Sequence, residues 1–84
     1  MYKVRVNKQI LKSLDKIPIY YLLRIKEAVN HLAENPRPFG SVKLADSENA
    51  YRIRVGVYRI IYSIADDVLI VEIVKIDHRR SVYK

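Results

Sequence analysis

The second half of the chain constrains the fold more than any other feature. Residues 51–55, 58–64 and 68–76 are three runs rich in Ile, Val and Tyr, side chains that suit a pleated and half-buried surface. Gly56-Val57 separates the first two runs, and Gly56 can supply the positive φ of a tight turn. Ala65-Asp66-Asp67 separates the second pair. Strands joined by connections this short pair with their sequence neighbours, so the segment predicts a three-stranded antiparallel meander.

The first half follows a different period. Tyr2, Val4 and Val6 alternate with Lys3 and Arg5, which predicts a short half-buried strand. Asn7 then stands where a helix N-cap is needed. Ile10, Leu11, Leu14 and Ile17 recur at helical spacing, with Lys8, Lys12 and Lys16 on the other side. Pro18 divides this helix from a second, whose apolar stripe is Leu22, Ile25, Val29 and Leu32 with Ala28 beside it. Asn35-Pro36 stops the second helix near Glu34, because the residue before a proline is disfavoured in the helical region. A connector punctuated by Pro36, Pro38 and Gly40 follows, with Phe39, Val42 and Leu44 expected to pin it to the core. The first strand is expected to join the meander in a four-stranded sheet. The fold class is α+β: an N-terminal strand and a helical hairpin packed on one face of a small antiparallel sheet.

At 84 residues the chain reads as one domain, 1–84, with a thin core. It has no Cys, which excludes disulfides, thiol catalysis and cysteine-based zinc sites. Two separated histidines, His31 and His78, and scattered carboxylates do not suggest a metal site, so no cofactor is expected. Only two glycines are present, which leaves no glycine-rich phosphate loop. No apolar run approaches the roughly 20 residues of a membrane span, and the N-terminus lacks a signal-peptide core. A cytoplasmic protein with no membrane partner is expected.

Charge is the remaining strong signal. Sixteen Lys and Arg against nine Asp and Glu give a net charge of +7, which suits a polyanionic partner. No acid lies between Asn49 and Ala65, yet Arg52, Arg54 and Arg59 all do. If Tyr51, Ile53 and Val55 face the helices, Arg52 and Arg54 point together off the opposite face. Arg59 approaches the same face across the Gly56 turn. Solvated strand arginines are common, and the clustering without a nearby acid is what sets these apart. The terminal Asp77-His78-Arg79-Arg80-Ser81-Val82-Tyr83 follows the last strand and would bring His78, Arg79 and Arg80 beside them. Guanidinium groups suit phosphate, because their planar fork donates paired hydrogen bonds and stays charged.

Four segments together resemble the RelE/ParE toxin superfamily: NKQILKSLDKIP, LAENPRPFGSVKL, YRIRVGVYRIIY and DHRRSVY. They cover nearly all the chain in order. The resemblance implies a RelE-type toxin of a type II toxin–antitoxin system, a ribosome-dependent endoribonuclease that cuts mRNA in the A site. It implies attack of the ribose 2′-hydroxyl on the adjacent phosphate. On the matching positions it implies Arg59, Arg80 and Tyr83 as catalytic residues. Arg52, Arg54, Arg79 and His78 would bind RNA and phosphate. It also implies a RelB-like antitoxin partner, with the toxin monomeric inside a hetero-oligomeric complex. Two other functions share this fold: gyrase inhibition of the ParE kind, and a catalytically silent homologue that only binds antitoxin.

Overall fold

The structure, a computed structural model, describes residues 1–78. Arg79, Arg80 and Tyr83 lie outside the described residues. In chain order the elements are β1 (Lys3–Val6), α1 (Lys8–Ser13), a 3₁₀ turn (Leu14–Lys16), α2 (Ile19–Glu34), β2 (Val42–Lys43), β3 (Ala50–Val55), β4 (Tyr58–Ala65) and β5 (Ile70–His78). The strands form one five-stranded sheet in the order β1-β5-β4-β3-β2. No described helix is long and apolar enough to cross a membrane.

Local chemistry accounts for most boundaries. The Asn7 side chain accepts a hydrogen bond of 2.9 Å from the Ile10 amide and caps α1. Pro18 occupies the position before α2, and Asn35-Pro36 ends it. The β3–β4 hairpin is tight, with Val55 paired to Tyr58 and Gly56 at φ +59°. A Cβ at Gly56 would also come within 2.8 Å of the Tyr21 ring, so glycine is required there for both backbone and space.

The core lies between α2 and the sheet. Ile25 and Leu32 descend from α2 onto Ile53, Val55, Tyr58, Ile60, Tyr62, Ile64, Val71 and Ile73, and Ile10 joins them from α1. Truncating a side chain such as the fully buried Ile60 to Ala costs about 2–5 kcal/mol, from lost transfer energy and the cavity left behind. Among the described residues the opposite face of the sheet carries no helix, so its alternate residues are open to solvent there.

The α+β layer agrees with the sequence expectation, with four differences. First, β1 pairs in parallel with β5, Lys3 against Ile70 through Val6 against Ile73. The intervening elements provide the long crossover that parallel pairing needs. Second, the connector adds a fifth strand, β2, on β3. Third, β5 starts at Ile70, because Leu69 takes φ +55° inside the turn and leaves Val68 and Leu69 exposed. Fourth, Phe39 and Val42 do not pin the connector to the core; Phe39 is fully exposed and Val42 is exposed too, and the connector is fixed by hydrogen bonds instead.

Candidate nucleic-acid interface

Strand alternation builds the site. On β3, Tyr51, Ile53 and Val55 turn toward the helices, so Arg52 and Arg54 emerge on the open face. On β4 the inward residues are Tyr58, Ile60, Tyr62 and Ile64, which puts Arg59 outward. The two-residue hairpin sets the register and places Arg54 directly opposite Arg59, with Arg52 opposite Ile61. Cβ atoms of such pairs are about 4.5–5.5 Å apart, and like charges placed there repel. The three arginines line an open depression of about 270 Å³ together with Gly40, Val42 and Ile53. Among the described residues, Arg52 and Arg54 form no ion pair.

The sequence expectation for His78 needs correction. The phase of β5 changes partway along, because Ile61 pairs with Lys75 while Tyr62 pairs with Ile73. Val74 is the extra residue of this bulge. Beyond it Ile76 and His78 pair with the inward residues Ile60 and Tyr58. His78 therefore lies on the helix side, edge-on to the Tyr58 ring at 5.2 Å. It is not brought to the arginine face.

The same bulge delivers an acid that the sequence reading did not place. Asp77 stands opposite Arg59 on the open face. Its carboxylate is 24% exposed and bonds Lys75 Nζ at 3.2 Å. Counting alternation from Val71 and Ile73 puts Asp77 inward; only the inserted residue turns it outward.

A second polar cluster lies elsewhere. Arg37 donates through two nitrogens to Asp66, at 2.7 and 3.2 Å, and through Nε to the Tyr51 hydroxyl at 3.1 Å. The Tyr2 hydroxyl donates to the same Asp66 at 2.6 Å. The Arg37 guanidinium, then the Tyr2 hydroxyl, hold the Asp66 carboxyl below its usual range. The bond to Asp66 in turn raises Tyr2. This latch joins the connector, β3, the β4–β5 turn and the N-terminus, and it occupies Arg37. No signal in the sequence pairs positions 37, 66 and 2.

Arginine cannot exchange protons near neutral pH, so the arginine face can hold and stabilise phosphate charge without acting as an acid or base. No group of residues suited to a metal ion occurs among the described residues.

The comparisons decide the family. The model for "ParE toxin of type II toxin-antitoxin system, parDE" matches residues 4–83. The chain belongs to the RelE/ParE toxin family. Within that family it is 35% identical over 86 residues to the chain named RelE1 of Methanocaldococcus jannaschii, covering 99% of this chain and 96% of that one. It is 30% identical over 84 residues to the toxin RelG of Mycobacterium tuberculosis, covering 99% and 97%. The RelE chain of the archaeal RelE–RelB complex from Pyrococcus horikoshii superimposes with a TM-score of 0.84 at 32% identity, over 93% of this chain and 94% of that chain. These relatives make it a RelE-type toxin of a type II toxin–antitoxin system.

Proposed function

We propose that this RelE-type toxin is a ribosome-dependent endoribonuclease that cleaves mRNA in the A site. The observation that carries the reading is the set of three arginines, Arg52, Arg54 and Arg59, fixed on paired strands around one open depression. In the proposed reaction the ribose 2′-hydroxyl gives up its proton and its oxygen attacks the adjacent phosphorus; the bond from phosphorus to the 5′-oxygen breaks and that oxygen takes up a proton, giving a cyclic phosphate and a free 5′-hydroxyl. Charge builds on the phosphorane, and preorganised guanidinium groups stabilise it without reorganising. Arg59 is the phosphate-stabilising residue, while Arg52 and Arg54 seat the flanking backbone. Arg79, Arg80 and Tyr83 take their roles from the family resemblance, Arg80 and Tyr83 as catalytic residues. In this reading the Tyr83 hydroxyl accepts the 2′-hydroxyl proton, a role that comes from the family resemblance alone. His78 is not assigned a phosphate, because it lies on the other face of β5.

The reading includes a RelB-like antitoxin, in keeping with structural neighbours that were solved as RelE–RelB complexes. The toxin would be a monomer within that hetero-oligomer. An antitoxin segment with acidic groups near the arginine face would complement its charge.

The test is in vitro translation with purified toxin and mapping of mRNA ends by primer extension. Ribosome-dependent cuts within codons, lost in Arg59→Ala, are the expected result. Intact mRNA in the presence of folded toxin would overturn the reading and favour gyrase inhibition or a silent antitoxin-binding role.

A further inference from the structure

The arginines account for recognition of phosphate and leave the base without a contact. The rim of the depression has a different character. Gly40 and Val42 line it beside the arginines, and Phe39 immediately precedes Gly40. Phe39 is more exposed than any other large apolar side chain among the described residues, at 108% of its reference area. Val42 is 45% exposed.

This exposed ring sits on an anchored loop. The Ser41 amide donates to the Pro38 carbonyl at 3.0 Å and closes a turn around Phe39 and Gly40. The Tyr62 hydroxyl donates to the Pro36 carbonyl at 2.8 Å. The Arg37 amide donates to Asn35 Oδ1 at 3.1 Å, and the Arg37 side chain is held by Asp66. Gly40 has φ +94°, while a Cβ there would touch nothing within 4 Å. Glycine is thus needed for the direction of the backbone and not for room. The loop spends a constrained turn on holding an aromatic ring in water, where it has no ring partner among the described residues.

A nucleotide has a charged phosphate and a flat apolar base, and the depression has a cationic wall and an apolar rim. Unpaired bases stack on exposed aromatic rings regardless of sequence, since every base has a π-face. We propose that Phe39 is a stacking platform for an unpaired RNA base whose phosphate lies on Arg52, Arg54 and Arg59. The proposal deepens the nuclease reading and rests on it for the identity of the ligand. Phe39 touches substrate but takes no part in proton or phosphoryl transfer.

The experiment measures binding of a short single-stranded RNA by fluorescence anisotropy. Its 2′-hydroxyls are methylated so that it cannot be cut. An abasic strand of the same length and charge is the control. Phe39→Ala is expected to weaken binding of the base-bearing strand by roughly 5- to 150-fold, the range for losing one aromatic stack. The same variant should bind the abasic strand as wild type does. Phe39→Trp should restore the loss. Because Phe39 contacts no phosphate, the salt dependence of binding should not change. Wild-type affinity in Phe39→Ala, or an equal loss on both strands, overturns the proposal. Cleavage on programmed ribosomes is scored with the same wild-type preparation. Phe39-dependent binding without any cleavage would refute the nuclease reading and leave the stacking role standing. Binding of neither strand by wild type overturns the stacking proposal, while the cleavage assay on programmed ribosomes decides the nuclease reading separately.

Discussion

Replacing Tyr62 by Phe tests how the connector is held to the sheet. The Tyr62 ring is fully buried, at 0% exposure, and stacks on Tyr51 with centroids 6.1 Å apart. Its hydroxyl reaches across 26 positions to the Pro36 carbonyl at 2.8 Å. Phe keeps the ring and its packing and deletes only this bond, leaving a carbonyl unpartnered. Such a loss costs about 1–3 kcal/mol. For a chain of this size each kcal/mol moves the midpoint by about 4–8 °C. Thermal unfolding followed by circular dichroism should therefore show a lower midpoint, and urea denaturation a lower midpoint with unchanged slope. Burial, opposed in part by the Ser41 hydroxyl, pushes the Tyr62 phenol up to about 12 from an ordinary value of 10.0. A folded pKa above the unfolded one means stability that is full below pH 10 and lost as pH rises toward 12. Tyr62→Phe should lack that share of the alkaline loss. Because Pro36 opens the loop that carries Phe39, the variant should also bind base-bearing RNA less tightly while keeping its affinity for an abasic strand. Wild-type stability together with an unchanged alkaline limb would refute this account of the connector.

Arg59→Ala should abolish cleavage and growth arrest while the circular dichroism spectrum stays native; a folded and fully toxic variant would remove Arg59 from the mechanism. Arg54→Gln relieves the like-charge pair with Arg59, so stability should rise by about 0.2–1 kcal/mol at low salt in urea titrations. Its affinity for single-stranded RNA should fall, and the slope of log K against log salt should shrink by about 0.7, the loss of one phosphate contact; an unchanged slope would show that Arg54 touches no phosphate. Asp66→Asn breaks the paired bond with Arg37. The wild-type carboxyl, held low chiefly by Arg37, stabilises the fold above its unfolded pKa and loses this effect as pH falls through the lowered folded value. Acid titration of the variant by circular dichroism should lack that component, and identical acid limbs would show that the latch carries no linkage.

Much of the protein was legible in the sequence because it is local. The Asn7 cap, the stop at Asn35-Pro36, the stripe through Ile25 and Leu32 and the three Ile-, Val- and Tyr-rich runs each depend on residues a few positions apart. The arginine triad was legible for the same reason: alternation within β3 and β4 and a two-residue hairpin suffice to put Arg52, Arg54 and Arg59 on one face. What the sequence could not supply is whatever depends on an irregularity or on distant pairing. Alternation carries its phase forward residue by residue, so the single extra residue Val74 inverts it, turning His78 to the helices and Asp77 to the arginines. The parallel seat of β1 on β5 and the Arg37–Asp66–Tyr2 latch join positions far apart in the chain, where no local pattern records the contact. Phe39 was expected inward because apolar residues favour burial. Hydrogen bonds from Tyr62 and Ser41 and the positive φ of Gly40 fix its loop, and they leave the ring in water. Local side-chain chemistry thus determined the elements and the charged face, while the tertiary structure decided which neighbours that face acquired.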